Sequence, residues 1–159
     1  MKKTLAVTLI GAFLVLSAGC SNPIVEVVSV APGLNENAVQ LAALMAVANT
    51  GVPPGVQVGA PVDDRVVAAV ATAPPVDRHA NVWTYESRDA EAIYAGYERH
   101  HGYLRVALRC TPTQVVLETI EDKNVHHNRN VEAALQGLEA RVDRAMKDVQ
   151  RAAVAQGGR

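Results

Sequence analysis

Residues 93–121 read IYAGYERHHGYLRVALRCTPTQVVLETIE. Ile93, Ala95 and Tyr97 share one parity, and Leu104, Val106, Leu108 and Cys110 alternate with Tyr103, Arg105, Ala107 and Arg109. Successive side chains of a strand point to opposite faces, so a period of two predicts strands with one greasy and one wet side. His100-His101-Gly102 supplies a turn after the first strand and Thr111-Pro112-Thr113 a turn after the second, with 115–121 as a third strand. The expected unit is an antiparallel three-strand meander.

Downstream the period changes. Val131, Leu135, Leu138, Val142, Ala145, Met146 and Val149 recur at spacings of three and four, while Glu132, Gln136, Glu139, Asp143 and Lys147 fall on the other side. This is an amphipathic helix, with Asn128 or Asn130 placed to cap it. One apolar helical stripe needs one apolar sheet face. The predicted fold class is therefore α+β: a small two-layer domain in which the C-terminal helix packs across the meander, preceded by one or two N-terminal helices.

Upstream, residues 23–30 (PIVEVVSV) are β-branched and read as an early strand. Asn35 can cap a helix starting at Glu36, in which 38–48 is apolar almost all round; Gly51 is its expected stop, with Pro53-Pro54 beyond. Such a helix is either a core helix or an interfacial one. It has no basic face for anionic lipid, which favours burial. Residues 51–62 form a Gly/Pro loop, and Asp63-Asp64 start a second short helix over 65–72, a segment for which 66–71 as a strand is the competing reading. The expected division is 20–33 as an N-terminal apolar segment, 34–80 as a helical and loop region, 81–152 as the α+β domain and 153–159 as a fraying tail.

The first 19 residues differ in kind. Lys2 and Lys3 precede an apolar run at 5–16, then Ser17, Ala18 and Gly19 lead to Cys20. A basic start, an apolar stretch and small residues form a secretory signal, and the run is shorter than the ~20 residues that span a hydrocarbon core. A Cys directly after the small residues makes the signal that of a bacterial lipoprotein, cleaved so that Cys20 becomes the acylated first residue. Ser17 stands where Leu is usual, with Leu16 displaced by one. Ser21, instead of Asp, resembles the sorting pattern for the outer membrane, with the domain facing the periplasm; the inner membrane is the other address.

Of 15 Lys and Arg, Lys2 and Lys3 leave with the signal, so 13 remain against 16 Asp and Glu. A mildly acidic chain without a basic run offers no electrostatic footprint for nucleic acid. With Cys20 acylated, Cys110 is the only other thiol, no internal disulfide can form, and Cys110 reads as a buried small hydrophobe.

Residues 83–146 resemble a family of small bacterial lipoproteins of no established activity. The resemblance rests on Trp83, Ile93-Tyr94-Ala95, the strands around 104–110 and 115–121, and the junction Val125-His126-His127-Asn128-Arg129-Asn130. Arg129 stands where the family tends to have Tyr and Glu132 where it tends to have Trp. The resemblance implies a fold, with Trp83 ending a helix, and an envelope address; it transfers no catalytic residue.

Two constellations are candidates for function. His100, His101, His126 and His127 flank the meander at what should be one end, and neutral imidazoles suit Zn or Cu. Trp83, Tyr85, Tyr94, Tyr97 and Tyr103 are all the aromatics beyond the signal. They would serve either as core or as a platform for a partner protein or sugar. Paired carboxylates such as Asp63-Asp64 and Glu121-Asp122 carry no acid–base signature, and no nucleophile elbow, phosphate loop or zinc-hydrolase motif occurs. The expectation is a non-enzymatic domain, attached to a membrane through a diacylglycerol and an N-acyl chain on Cys20, that binds another envelope protein. A periplasmic metal-binding lipoprotein is the alternative.

Overall fold

A computed structural model describes residues 23–77, 83–99, 102–123 and 128–157. In chain order these form β1 (Val25–Ser29), α1 (Glu36–Ala48), α2 (Asp64–Thr72), β2 (Trp83–Arg88), β3 (Ile93–Arg99), β4 (Gly102–Cys110), β5 (Gln114–Lys123) and α3 (Asn128–Gly157). The expected meander is present as β3–β4–β5, and it is the centre of a wider sheet. β2 extends it beyond β3, and β1 returns to pair with β5, giving the order β1-β5-β4-β3-β2, antiparallel throughout.

Both added strands have local reasons. Trp83 and Tyr85 alternate with Thr84 and Glu86, so the stretch that the family pattern ends as a helix is a strand opening at Trp83. A bulge between Tyr85 and Ser87 breaks its register with β3. In β1, Val28 faces the core while Val25 and Val27 face outward.

One face of the sheet is covered. Ile93, Ala95 and Tyr97 of β3, Leu104, Val106 and Leu108 of β4, and Val115 and Leu117 of β5 join one core with α1 and α3. The expected helical region and the expected sheet region thus share their interior. α1 lies over β2, β3 and β4, and α3 runs beside α1 and against β1. The α3 stripe is the one legible in its spacing: Val131, Leu135, Leu138, Val142, Ala145, Met146 and Val149 are all buried. Burying each such Leu or Val contributes about 1.5–3 kcal/mol before conformational entropy is charged against it.

α1 is enclosed on nearly every side. Ala38, Val39 and residues 41–47 are buried, which agrees with the core-helix reading. Among the described residues no helix is long and apolar enough to cross a membrane. Asn35 caps α1 as its sequence suggested, its side chain accepting from Ala38 N at 2.9 Å. Asp63 does the same for α2 through Val66 N at 3.0 Å, so 64–72 is helix and the strand alternative is excluded.

The other end of α1 stops two residues before Gly51. Asn49 takes the left-handed conformation, φ 54°, and donates its N–H to Ala46 O while Thr50 N–H reaches back to Met45 O at 3.0 Å. These two bonds make a Schellman motif, and Asn is the non-glycine residue best suited to its left-handed position. α1 has no basic residue in its last turn. Arg144 of α3 supplies one from across the core, donating to Asn49 Oδ1 at 2.8 Å, where a cation also meets the negative end of the helix dipole. Asn49 Nδ2 donates to Asp77 O at 2.6 Å. Nearby Arg141 is 8% exposed; burial, then the neighbouring Arg144, holds its pKa below the usual arginine value, against the pull of Asp77.

One expectation about α3 needs correction: it begins at Asn128, so Asn128 and Asn130 both lie in its first turn and neither is its N-cap. The helix continues through Gly157. Its end is clamped: Gln156 accepts from Val58 N at 2.9 Å and donates to Val56 O at 3.0 Å, tying the Gly/Pro loop to the helix.

Asn49→Ala removes both side-chain bonds at a left-handed position and leaves the Arg144 guanidinium short of an acceptor. The expected loss is about 1–3 kcal/mol in urea unfolding. Asn49→Gly should recover only the backbone part of it.

Candidate functional site

The helices cover one face of the sheet, and strand alternation sends Tyr94, Gly96, Tyr103, Arg105, Arg109 and Glu118 to the other. Gly96 is the centre of this open face. A Cβ there would stand 2.4 Å from Glu86 Oε1 and 3.1 Å from a ring carbon of Tyr103. Its absence lets Glu86 of β2 reach over β3 to β4, a close approach of the kind a glycine in a strand often marks. Glu86 accepts from the Tyr103 hydroxyl and, at 2.7 Å, from Arg105 Nε.

The array continues in both directions. The Arg105 guanidinium stands 5.0 Å from the centre of the Tyr94 ring, within cation–π range. The Tyr94 hydroxyl donates to Asp89 Oδ2 at 2.7 Å, and Asp89 Oδ1 accepts from Glu91 N and Ala92 N at 2.8 and 2.9 Å, which closes the β2–β3 turn. On the far side Arg109 lies between Glu91 and Glu118, at 3.3 and 3.4 Å. Exposed ion pairs of this sort contribute only about 0–1 kcal/mol each. Their effect is to hold side chains in place.

The titrating groups record the same contacts. Burial, and then the bond to Glu86, pushes the Tyr103 hydroxyl up to about 12. The Tyr94 hydroxyl and the two backbone N–H groups hold the Asp89 carboxyl below its usual range, and the bond to Asp89 raises Tyr94. Beside Gly96 lies a shallow hollow of about 360 Å³ bordered by Thr84, Glu86, Glu98 and Tyr103.

A second, tighter space of about 30 Å³ lies between the start of α1 and the β2–β3 turn, with Glu36, Gln40, Arg88 and Cys110 among its walls. That is room for water, not for a substrate. Cys110, expected to be buried, is half-buried against the core; burial, then the charge of Glu36, pushes its thiol up to about 12.

The five aromatics do not form one surface. Trp83 and Tyr97 are buried against each other under the helices, ring centres 5.2 Å apart, and Tyr85 packs partly buried on the same face. Only Tyr94 and Tyr103 are on the open face. The Trp83 indole N–H is buried and has no partner among the described residues. Cys20, His100, His101, His126 and His127 lie outside the described residues, and among those described no group of three or more His, Cys, Asp or Glu could hold a metal. Sequence reasoning missed Glu86, Asp89 and Arg105; the signal that could have found them is Gly96 inside an otherwise side-chain-rich strand.

No family model, curated protein or solved structure matches this chain. Any functional argument therefore stands on its own residues.

Because the folded pKa of Tyr103 lies above the ordinary 10, the stability its bond to Glu86 brings is fully present below pH 10 and is lost as pH rises toward 12. Glu86→Gln, and Gly96→Ala by displacing the carboxylate, should each move the Tyr103 transition down toward 10 in an ultraviolet phenolate titration. An unmoved transition in both variants would mean that burial alone sets it.

Proposed function

We propose that this chain is a bacterial lipoprotein, held at the outer membrane by acyl chains on Cys20, whose periplasm-facing domain binds another envelope protein without catalysing a reaction. The carrying observation is the N-terminal sequence: Lys2-Lys3, the apolar run 5–16 and Ser17-Ala18-Gly19-Cys20.

Anchoring and fold meet closely in this reading. β1 opens at Val25, five residues after Cys20, a span of at most about 17 Å in extended chain. The domain is therefore held against the lipid surface and not on a long tether. The open sheet face suits a protein partner. It presents Tyr94, Tyr103, Arg105 and Arg109, residue types enriched at interfaces, already held by Glu86, Asp89 and Glu118. Side chains held in advance lose less entropy on binding.

Cys20→Ala should abolish palmitate labelling in growing cells and leave precursor or unanchored protein; continued labelling would refute the assignment. A photocrosslinking residue in place of Tyr103 should capture one envelope protein, and Arg105→Glu should release it.

One observation favours metal binding as a second reading. β3 ends at Arg99, β4 begins at Gly102, and Tyr103 pairs with Lys123, so the described flanks of both histidine pairs lie at the same end of the sheet. Zn or Cu titrated into the mature chain should then release heat at micromolar concentration, and His126→Ala should reduce it. Absence of heat ends that reading.

A further inference from the structure

The two edges of the sheet are unlike. β2 is guarded: a bulge between Tyr85 and Ser87 interrupts it, Glu86 and Arg88 charge it, and Arg88 ties it to the loop before α2 through Val62 O and, at 3.4 Å, to Asp64 at the start of α2. Bulges, charges and covering loops are the devices that stop an edge strand from pairing further. β1, VEVVS, is the less guarded edge: no bulge, no proline, no basic residue and a single Glu.

The backbone direction of β1 follows from its flanking bonds. Ile24 O accepts from Thr119 N at 3.0 Å, and Val30 N donates to Thr113 O at 2.9 Å. Antiparallel strands direct alternate residues toward a given neighbour, so the even-numbered residues bond β5 and Val25, Val27 and Ser29 aim their N–H and C=O at the open edge. Among the described residues no strand lies there. Val25 and Val27 are 49% and 50% exposed.

We infer that β1 is an interface between two copies of this chain, the two β1 strands pairing antiparallel about a twofold axis at Val27. The sequence is self-complementary in that register. Val27 meets its own copy, Val25 meets Ser29, and Glu26 meets Val28, so the one charge never faces itself. Centring one residue earlier would set Glu26 against Glu26 in a non-hydrogen-bonded pair, where facing side chains are closest and like charges destabilise. A twofold contact between identical edges closes on itself, so pairing stops at two copies, with the guarded β2 edges outermost.

The inference rests on the geometry of β1 and not on acylation of Cys20, so it stands or falls apart from the proposed function. The test uses the full chain in cells, with a photocrosslinking residue in place of Ser29 or, on the other edge, of Thr84. Position 29 should yield a homodimer whose adduct maps to the Val25 segment of the second copy, and position 84 should not. Val27→Lys, combined with the probe at position 29, should reduce that adduct at least tenfold while circular dichroism and melting stay as they were. Val27→Pro should act likewise, since the N–H it removes takes no part in pairing with β5. A probe at position 29 that captures only a different protein, or nothing, would overturn the inference. So would a homodimer indifferent to Val27→Lys.

Discussion

The enclosure of α1 is the constraint on which the other elements depend. Ala38, Val39 and residues 41–47 leave the helix almost no solvent side, and a helix apolar nearly all round is stable only when surrounded. The sheet provides one wall and α3 another, with α2 in contact as well. Enclosure then creates a second problem, because the last carbonyls and the negative end of the dipole of α1 come to rest inside the protein. The Schellman turn at Asn49 satisfies two carbonyls, and Arg144 brings a positive charge from α3 to the Asn49 side chain. The half-buried Arg144 beside an apolar helix stripe thus has a structural reason: it serves the end of a different helix.

This arrangement makes the fold strongly non-local. Arg144 and Asn49 are 95 residues apart, Gln156 and Val58 are 98 apart, and β1 must find β5 across most of the chain. The loop-closure entropy of those contacts has to be overcome before burial rewards it, which places such topologies among slower folders. Until α3 docks, the apolar wall of α1 is open to other chains, and the edge of β1 stays open afterwards. The least protected surface of the finished domain is also the last part of the sheet that local sequence can organise.

What could be read from sequence follows the same division. Caps are local, so Asn35 and Asp63 identified the starts of α1 and α2, and period two against period three-to-four located β3, β4, β5 and α3. Pairing is not local, and nothing in PIVEVVSV names β5 as its neighbour. β2 was hidden for a different reason: only Trp83 and Tyr85 carry its apolar alternation before the bulge ends it. At the end of α1, Gly51 was the obvious left-handed residue, but Asn49 took the role because its side chain finds Asp77 and Arg144 there, partners invisible along the chain. The open-face array was illegible because it depends on a missing side chain. Tyr94, Tyr103 and Arg105 were visible residue by residue, while their connection through Glu86 exists only because position 96 has no Cβ.

An antiparallel sheet with one face packed has two kinds of surface left for binding, its open face and its edges, and here the two are chemically distinct. The array around Gly96 is polar, pre-positioned and nearly neutral in stability, whereas the edge at β1 is apolar with unsatisfied backbone groups. They are also apart. From β1 to β3 is three pairing steps, about 14 Å at strand spacing, with β5 and β4 between. A partner seated over Tyr94 and Arg105 would leave β1 clear, and two copies joined at β1 would present two such faces on the same side of one continuous sheet. Because β1 begins five residues after Cys20, the edge lies nearest the expected anchor and the Gly96 face farther along the sheet. Pairing near the lipid would then double the faces offered to a partner without covering either one.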